Sequence, residues 1–466
     1  MELKTVVASL LAAVSLTGLA ADDAALKEAC ARVSETALLR TIVDPSATAE
    51  RYEVACDREN ATYRCGEKAT FTVTAFAKSR VLAGTGTVKV SLLDAGSATV
   101  AEETFDLAAA NPFKISGTLA KPGFLRLHIG VNRKSSVNWS VAFDPLKIVQ
   151  ERPRPADFES FWRGQAERLE KEVPLDPRCE KDESRSRTDA ACDWFRVSFA
   201  TFGGKRVSGL MSVPRGADAE HKVPGRVRVP GAGVSLYNRI GLKRAKAASL
   251  CMTVFPFVST LDQNANYKNL LAMNAELKKA FGREYPTAGI CGKVEDQYYF
   301  PYVLGINRAV SWFAAQPFVD RRQFTYNGQS QGGGFGLMLL ALNGNFTRGV
   351  ISEPAITAHA MHLQGGADGW PGFYVGSTPE EKAAAERNAA YYDGVNFATL
   401  VKCPVRFVAG FADMTCPPHC VYAAYNACAS SDKAIYDGIG VTHTTDCREV
   451  DRATLWEEVG TSGVSP

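Results

Sequence analysis

The sequence predicts an α/β protein in which a mostly parallel sheet, with helices on both faces, follows an amino-terminal β-sandwich. Residues 50–145 contain short runs of alternating polar and apolar residues separated by Gly, Asn, Asp and Pro clusters, a pattern typical of antiparallel strands. From residue 195 onward, strand-like runs alternate with helical ones, which is typical of a parallel sheet. At 466 residues the chain also exceeds one compact core, which favours two domains.

The first 20 residues are predicted to be a signal peptide. They combine one basic side chain, Lys4, with a short run of apolar and small residues, as expected for a cleaved leader. The run is short and rich in Ala and Ser, so it does not favour a membrane span, although an uncleaved anchor is the alternative. We therefore expect a secreted or periplasmic protein without stable membrane insertion.

Residues 21–148 are predicted to form the β-sandwich. Alternation is clearest at 69–76, 87–92 and 124–129, and the spacing of these runs favours an immunoglobulin-like type. His128 lies within the last run, and we interpret it as a packed or surface histidine of a strand.

Residues 149–466 are predicted to form the second domain. Pro153 and Pro155 mark a stiff break near the boundary, and a charged helical stretch follows. Strands are predicted at 226–229, 251–255, 349–352 and 405–408, and a helix at 302–316.

Charge and cysteine content narrow the possible partners and cofactors. The net charge of +3 is close to neutral for this length, and no long run of Lys or Arg exists, so nucleic acid is not expected as a partner. Twelve cysteines in an exported chain predict disulfides. Cys179 and Cys192 form a natural local pair, and four more stand toward the end of the chain: Cys416, Cys420, Cys428 and Cys447. Cys416, His419 and Cys420 could instead bind a metal, but no second ligand pair stands at zinc-finger spacing, so no metal is expected.

Residues 328–332 read Gly-Gln-Ser-Gln-Gly and fit the G-x-S-x-G pattern of a nucleophile elbow. A strand-like run at 323–327 precedes the pattern, and an apolar helix start at 335–342 follows it. This context predicts that Ser330 is a nucleophile at the edge of an α/β-hydrolase sheet, and not part of an ordinary Gly-rich loop.

A serine nucleophile needs a base, and the base needs a carboxylate that orients it. In an α/β-hydrolase these residues follow the serine in the order Asp or Glu, then His. His443 follows a strand-like run at 433–436 and is the preferred base among six histidines, with His419 as the alternative.

Asp413 is the preferred acid, because it follows the strand-like run 405–410 at its carboxyl end. Asp393 and Asp446 are the alternatives, and a turn-forming aspartate is the non-catalytic interpretation.

The developing oxyanion of acyl transfer also needs hydrogen-bond donors. One predicted donor is the backbone N–H of Gln331, directly after the nucleophile. The second is expected from the loop Pro230–Gly233, most plainly the N–H of Ala232, although the same four residues would also make an ordinary tight turn.

With these residues assigned, the second domain resembles the carbohydrate esterases grouped as acetyl xylan esterase and cephalosporin-C deacetylase, carbohydrate esterase family seven. The resemblance extends from about Pro155 to Asp446 and is carried by residues 155–162, 298–317, 328–334, 409–418 and 422–426. It implies an α/β-hydrolase fold, deacetylation of xylo-oligosaccharides and small esters without a metal or cofactor, and frequent oligomerisation. Ser330, Asp413 and His443 match the family's catalytic positions.

Three departures from the family pattern concern its signature motifs. The oxyanion loop of the family usually reads His-Gly-Tyr-Gly, where this chain has Pro-Gly-Ala-Gly at 230–233. The Arg-Gly-Gln motif is replaced by residues 255–260, and Thr444 stands where a glutamate usually follows the histidine. Hydrolase chemistry therefore carries over from the family better than the acetylated xylan substrate does.

The sequence thus predicts a secreted serine esterase that acts on O-acetylated plant-wall sugar, and the resemblance implies a homo-oligomer. One alternative is an esterase for another small acyl ester. The other is a carbohydrate-binding protein with a degenerate hydrolase domain, which the changed motifs suggest.

Overall fold

The computed structural model describes residues 43–77, 82–132, 135–233, 246–256 and 263–443. The predicted signal peptide lies outside the described residues, as do Asp446, Thr444 and Cys447. Within the described ranges, no helix combines the length and the apolar character needed to cross a bilayer.

The amino-terminal part folds into two five-stranded sheets. In chain order its strands are β1 (Val43–Thr48), β2 (Arg51–Cys56), β3 (Thr62–Tyr63), β4 (Ala69–Phe76), β5 (Leu82–Thr85), β6 (Thr87–Leu93), β7 (Thr99–Asp106), β8 (Phe113–Gly117), β9 (Gly123–Asn132) and β10 (Ser135–Phe143). One sheet has the order β1-β5-β4-β2 with β8 also paired to β4, and the other has the order β3-β10-β9-β6-β7. The strands predicted at 69–76, 87–92 and 124–129 are confirmed as β4, β6 and β9.

Aromatic side chains from the two sheets meet between them. Phe105 on β7 stacks on Phe113 of β8 with ring centroids 4.2 Å apart, and Trp139 on β10 meets the edge of Phe71 on β4 at 5.9 Å. Burial alternates along β4, as period-two patterning requires. The arrangement is that of two facing sheets, and its immunoglobulin-like type stays a prediction.

The carboxyl-terminal part is built on a nine-stranded mixed sheet. Its strands are β11 (Arg178–Lys181), β12 (Cys192–Ala200), β13 (Arg206–Pro214), β14 (Val223–Arg228), β15 (Ala248–Met252), β16 (Val319–Gln329), β17 (Arg348–Ser352), β18 (Val405–Gly410) and β19 (Lys433–Gly438). The order is β11-β12-β13-β15-β14-β16-β17-β18-β19. Pairing is parallel from β15 to β19, whereas β11, β12 and β13 pair antiparallel at one edge. The prediction of a mostly parallel sheet is confirmed, but the antiparallel edge was not predicted.

Eight α-helices are described in this part of the chain. They are α1 (Phe158–Glu172), α2 (Glu183–Thr188), α3 (Gln263–Phe281), α4 (Phe300–Ala314), α5 (Gln331–Leu342), α6 (Pro379–Tyr392), α7 (Gly394–Ala398) and α8 (Pro418–Ala427). The predicted helix at 302–316 is confirmed as α4. Helix α5 is buried over nearly its whole length, which explains why its sequence is almost purely apolar and glycine-rich.

The two parts of the chain share a continuous apolar core. Between them, β10 ends at Phe143 and α1 begins at Phe158, a connection that spans the predicted boundary. The side chain of Asn426 on α8 donates hydrogen bonds to the carbonyl oxygens of Pro145 (3.0 Å) and Ile148 (2.8 Å) and fixes this connection. The division of the chain into two separate domains, with the boundary between residues 148 and 149, stays a prediction.

No disulfide is present among the described cysteines, and disulfides elsewhere in the chain stay a prediction. Cys179 on β11 stands opposite Val197 on β12, and Cys192 lies about 16 Å further along that strand. A disulfide bridges Cα atoms at most about 7 Å apart, so the register separates these two cysteines. Cys416 and Cys420 are both buried free thiols.

Candidate active site

Ser330 occupies a sharp turn between β16 and α5. Its backbone has φ 58° and ψ −126°, a conformation that residues other than glycine rarely adopt. The turn is held by the N–H of Ser330, which donates to the carbonyl of Ser352 (3.0 Å), and by the N–H of Ala355, which donates to the carbonyl of Ser330 (2.9 Å). A strained, well-anchored serine at a strand-to-helix junction is the geometry of a nucleophile elbow.

The two glycines that flank Ser330 are required by close backbone contacts. A Cβ atom on Gly328 would lie 2.2 Å from the carbonyl oxygen of Gly332, and a Cβ atom on Gly332 would lie 1.9 Å from that of Val229. Both distances are far inside van der Waals contact. The G-x-S-x-G pattern thus follows from the tightness of this turn.

His443 connects Ser330 to Asp413 by hydrogen bonds. Its Nε2 atom lies 2.9 Å from Oγ of Ser330, and its Nδ1 atom lies 2.7 Å from Oδ2 of Asp413. The other oxygen of Asp413 accepts hydrogen bonds from the backbone N–H groups of Thr415 (2.7 Å) and Cys416 (2.9 Å). The three residues come from the carboxyl ends of β16, β18 and β19, so the parallel sheet itself brings them together.

Burial and neighbouring negative charge shift the pKa of His443 in opposite directions. Its side chain is 16% exposed, and burial alone opposes protonation of the ring. The hydrogen bond and negative charge of Asp413, together with the charge of Glu353, outweigh that effect and raise the pKa of His443 above its ordinary value. The imidazole is therefore a better proton acceptor than a free histidine.

The alternative base, His419, forms a hydrogen bond that does not involve the serine. It is buried, and its Nε2 atom lies 2.6 Å from the carbonyl oxygen of Ala367. Burial lowers the pKa of His419, so this ring is a neutral member of the core.

The alternative acid, Asp393, has a structural position. Its carboxylate accepts hydrogen bonds from the backbone N–H groups of Ala358 (2.8 Å), His359 (2.9 Å) and Val395 (2.9 Å), and it begins helix α7. Burial raises the pKa of Asp393 to about 6. Because its oxygens already serve these three donors, it is not available to orient His443.

The two predicted oxyanion donors belong to segments that adjoin Ser330. Gln331 is the first residue of α5, where a backbone N–H has no acceptor within the helix. The Pro230–Gly233 loop packs against the elbow, since a Cβ atom on Gly231 would lie 3.6 Å from Cβ of Ser330. Ala232 is exposed beside it, and its role as the second donor stays a prediction.

The side chain of Gln331 is fixed beneath the elbow by two tyrosines. Its Oε1 atom accepts hydrogen bonds from the hydroxyl groups of Tyr285 and, at 2.9 Å, Tyr299. The carboxamide is fully buried. These contacts hold the first turn of α5 in place next to the serine.

Asp413, Cys416 and His443 form a group of potential metal ligands. One ligand atom from each lies within 4.8 Å of the other two. The hydrogen bonds among Asp413, His443 and Ser330 use Oδ2 of Asp413 and both ring nitrogens of His443, so a metal ion bound here would compete with these bonds. The set differs from the one weighed from sequence, because it contains Asp413 and His443 in place of His419 and Cys420.

Glu353 is a residue of this site that sequence reasoning missed. It follows β17 directly and is fully buried, with its Oε2 atom 3.9 Å from Nδ1 of His443. The same oxygen accepts a hydrogen bond of 2.8 Å from Nε2 of Gln329. The rule that selected Asp413, a carboxylate at the carboxyl end of a predicted strand, applies equally to Glu353 and would have found it.

The amino-terminal sheets contact the loops that carry the site. Phe124 on β9 packs edge-on against Phe411 with ring centroids 5.0 Å apart, and an Arg126 nitrogen lies 2.8 Å from the sulfur of Met414. On the other side, a Cβ atom on Gly440 would lie 2.8 Å from Nε1 of Trp139. The segments before and after β19 that hold Asp413 and His443 therefore rest on the amino-terminal part.

Comparison with known proteins gives one family throughout the carboxyl-terminal part. Residues 141–449 match the family model described as acetyl xylan esterase (AXE1). The acetyl esterase Axe7A of Xylanibacter ruminicola is 28% identical over 335 residues, which cover 71% of this chain and 73% of that protein.

Solved structures agree on the fold. The acetyl xylan esterase from Paenibacillus sp. R4 matches with a TM-score of 0.56 and 21% identity, over 68% of this chain and 98% of its own. Acetyl xylan esterase 1 from Thermoanaerobacterium sp. JW/SL YS485 matches with a TM-score of 0.51 and 17% identity, over 67% of this chain and 96% of its own. The mixed sheet and its helices thus have the α/β-hydrolase fold.

Proposed function

Because this chain belongs to the acetyl xylan esterase family and is a carboxylic-ester hydrolase, we propose that it removes acetyl groups from O-acetylated xylan and xylo-oligosaccharides. The observation that carries the proposal is the hydrogen-bonded chain Ser330–His443–Asp413 at the elbow of a family member. The name of the 28% identical relative, an acetyl esterase, supports acetyl as the acyl group.

The first half-reaction transfers the acetyl group to Ser330. His443 Nε2 takes the proton from Oγ as that oxygen attacks the acetyl carbonyl, and Asp413 stabilises the imidazolium that forms. The negative charge that develops on the carbonyl oxygen is stabilised by hydrogen bonds from the backbone N–H of Gln331 and from a donor in the loop that contains Ala232. As the tetrahedral intermediate collapses, the bond between the acetyl carbon and the sugar oxygen breaks, and His443 donates its proton to that oxygen, so the sugar leaves as an alcohol and acetyl-Ser330 remains.

The second half-reaction releases acetate. His443 takes a proton from a water molecule as the water oxygen attacks the acetyl carbon of acetyl-Ser330. The bond between that carbon and Oγ then breaks, His443 gives the proton to Oγ, and acetate leaves. All of these steps use groups of the protein and water alone.

An esterase for another small acyl ester is the second candidate. The loop Pro230–Gly233 favours it, because this loop contacts the elbow and carries no side chain large enough to hold a sugar. The earlier alternative of a binding protein with a degenerate hydrolase domain is set aside, since the chain is a carboxylic-ester hydrolase.

The test measures acetate release from acetylated xylan, acetylated xylo-oligosaccharides and a chromogenic acetate ester, with butyrate and feruloyl esters for comparison. Ser330→Ala is expected to lower kcat by about 10⁵-fold, while Ser377→Ala, at an exposed serine outside the site, should match the wild type. Full activity of Ser330→Ala would remove the nucleophile assignment. Turnover of butyrate or feruloyl esters without acetate release from xylan would move the substrate to the second candidate.

Export by residues 1–20 and assembly into a homo-oligomer stay predictions. Amino-terminal sequencing of exported protein and measurement of its mass in solution test them.

A further inference from the structure

Each of four neighbouring parallel strands is followed by one residue of the site. Ser330 follows β16, Glu353 follows β17, Asp413 follows β18 and His443 follows β19. The mechanism proposed above uses three of these and leaves Glu353 without a part. We propose that Glu353 is a positioning residue for His443, a second carboxylate that shares with Asp413 the task of holding the imidazole and stabilising its protonated form. This proposal rests on the function proposed above.

Distances place Glu353 within electrostatic reach of the base. Its Oε2 atom lies 3.9 Å from Nδ1 of His443, and the Glu353 side chain has no solvent exposure. Charge interactions at this distance are strong where water is excluded. The contact is longer than the 2.7 Å hydrogen bond of Asp413, so Asp413 orients the ring and Glu353 adds a second negative charge beside it.

Gln329 connects Glu353 to the backbone of His443. Its Nε2 group donates to Oε2 of Glu353 (2.8 Å) and to the carbonyl oxygen of His443 (3.2 Å). The side chain adjacent to the nucleophile thus links the buried carboxylate to the loop that carries the base. Loss of the carboxylate would affect both the charge at the ring and the position of the loop.

The backbone of Glu353 also departs from ordinary geometry. Its φ is 43°, in the left-handed region that non-glycine residues rarely adopt. Its N–H donates to the carbonyl of Val408 on β18 (2.9 Å), and a Cβ atom on Gly410 would lie 2.7 Å from Oε1 of Glu353. A buried charge in a strained conformation is costly, and such costs concentrate at functional sites.

The groups that face His443 come from several elements. They are the carboxylates of Asp413 and Glu353, the Cys416 thiol and the Ser330 hydroxyl. Burial of the ring opposes its protonation, and the two carboxylates favour it and raise the pKa of His443. When the imidazole takes the serine proton, its new positive charge therefore forms next to two negative charges.

The test replaces Glu353 by glutamine, which keeps the size of the side chain and an acceptor for Gln329 but removes the charge. In a Ser330→Ala background, Glu353→Gln should lower the pKa of His443, followed by NMR titration of its ring. This measurement needs no substrate, so it stays informative even if the wild type fails to deacetylate xylan. Asp437→Asn, at a half-buried β19 carboxylate that accepts from Tyr422, is the matched control and should leave that pKa unchanged.

Turnover of a chromogenic acetate ester gives the second measurement. Glu353→Gln alone should lower kcat about fivefold, and in an Asp413→Asn background about fiftyfold, because either carboxylate partly replaces the other. Glu353→Asp retains the negative charge. It should therefore keep the pKa of His443 closer to the wild-type value than Glu353→Gln does. An unchanged pKa in Glu353→Gln would overturn the proposal, as would an equal loss of kcat in both backgrounds.

Discussion

The Nδ1 atom of His443 lies 2.7 Å from Oδ2 of Asp413, while Oδ1 of the same carboxylate is held by two backbone N–H groups. The carboxylate cannot rotate without losing those bonds, so it fixes both the tautomer and the direction of the ring.

Asp413→Asn is expected to lower kcat by about 10³-fold with little change in KM. The amide would keep the shape of the side chain but would favour the wrong tautomer of His443 and would no longer stabilise the imidazolium. Steady-state kinetics on a chromogenic acetate ester measure the effect. Asp393→Asn would produce the larger loss if the acid had been assigned to the wrong aspartate.

The pH dependence of kcat/KM follows from the raised pKa of His443. In the proposed mechanism His443 must be neutral to accept the serine proton, so activity is expected to fall as the pH drops through the pKa of the ring. Because that pKa is raised from 6.5, we expect an acidic limb centred above pH 6.5 and full activity at higher pH. A limb centred below pH 6 in the wild type would contradict the assignment.

Gly332→Ala tests the tightness of the elbow. The new methyl group would lie 1.9 Å from the carbonyl oxygen of Val229, and we expect a loss of about 3 kcal/mol in the free energy of unfolding together with a loss of ester hydrolysis. Gly344→Ala is the control, since a Cβ atom there would meet nothing within 4 Å. Denaturant unfolding and kinetics on the same samples separate the two effects, and a stable, active Gly332→Ala would refute the packing argument.

Phe124→Ala tests the contact between the amino-terminal sheets and the loop after β18 that carries Phe411 and Asp413. Removing this ring from Phe411 should cost about 3–4 kcal/mol of stability and should also lower kcat, because Phe411 stands just before Asp413. Phe113→Ala removes an equally buried ring that stacks within the amino-terminal part. It should destabilise the protein by a similar amount without lowering the kcat of the folded fraction. Equal kcat values for the two variants would show that the contact is purely structural.

The elbow and the order of the site residues were predictable because their signals are local. The pattern around Ser330 follows from backbone clashes within five residues, and Asp413 and His443 each follow a recognisable strand. In a parallel sheet, the carboxyl ends of neighbouring strands meet at one edge, so chain order sufficed to bring them together.

Other features depend on geometry that sequence spacing does not carry. Cys179 and Cys192 are close in sequence, but strand register separates them. The link between Glu353 and His443 requires a side-chain direction set by a left-handed backbone, and no periodicity reports it. Sequence spacing does not report contacts between distant segments, so no pattern in β9 indicated that Phe124 would face the loop that carries Asp413 instead of solvent.

The contact between Phe124 and Phe411 has a consequence for how the protein is made. The ribosome releases β9 long before the strands that carry Asp413 and His443, and the amino-terminal portions of a chain generally fold first during synthesis. The sheet that bears Phe124 can then already be formed when the loops of Asp413 and His443 emerge, and these loops can pack onto it. The nascent chain therefore becomes competent for catalysis only after the segment that carries His443 has emerged.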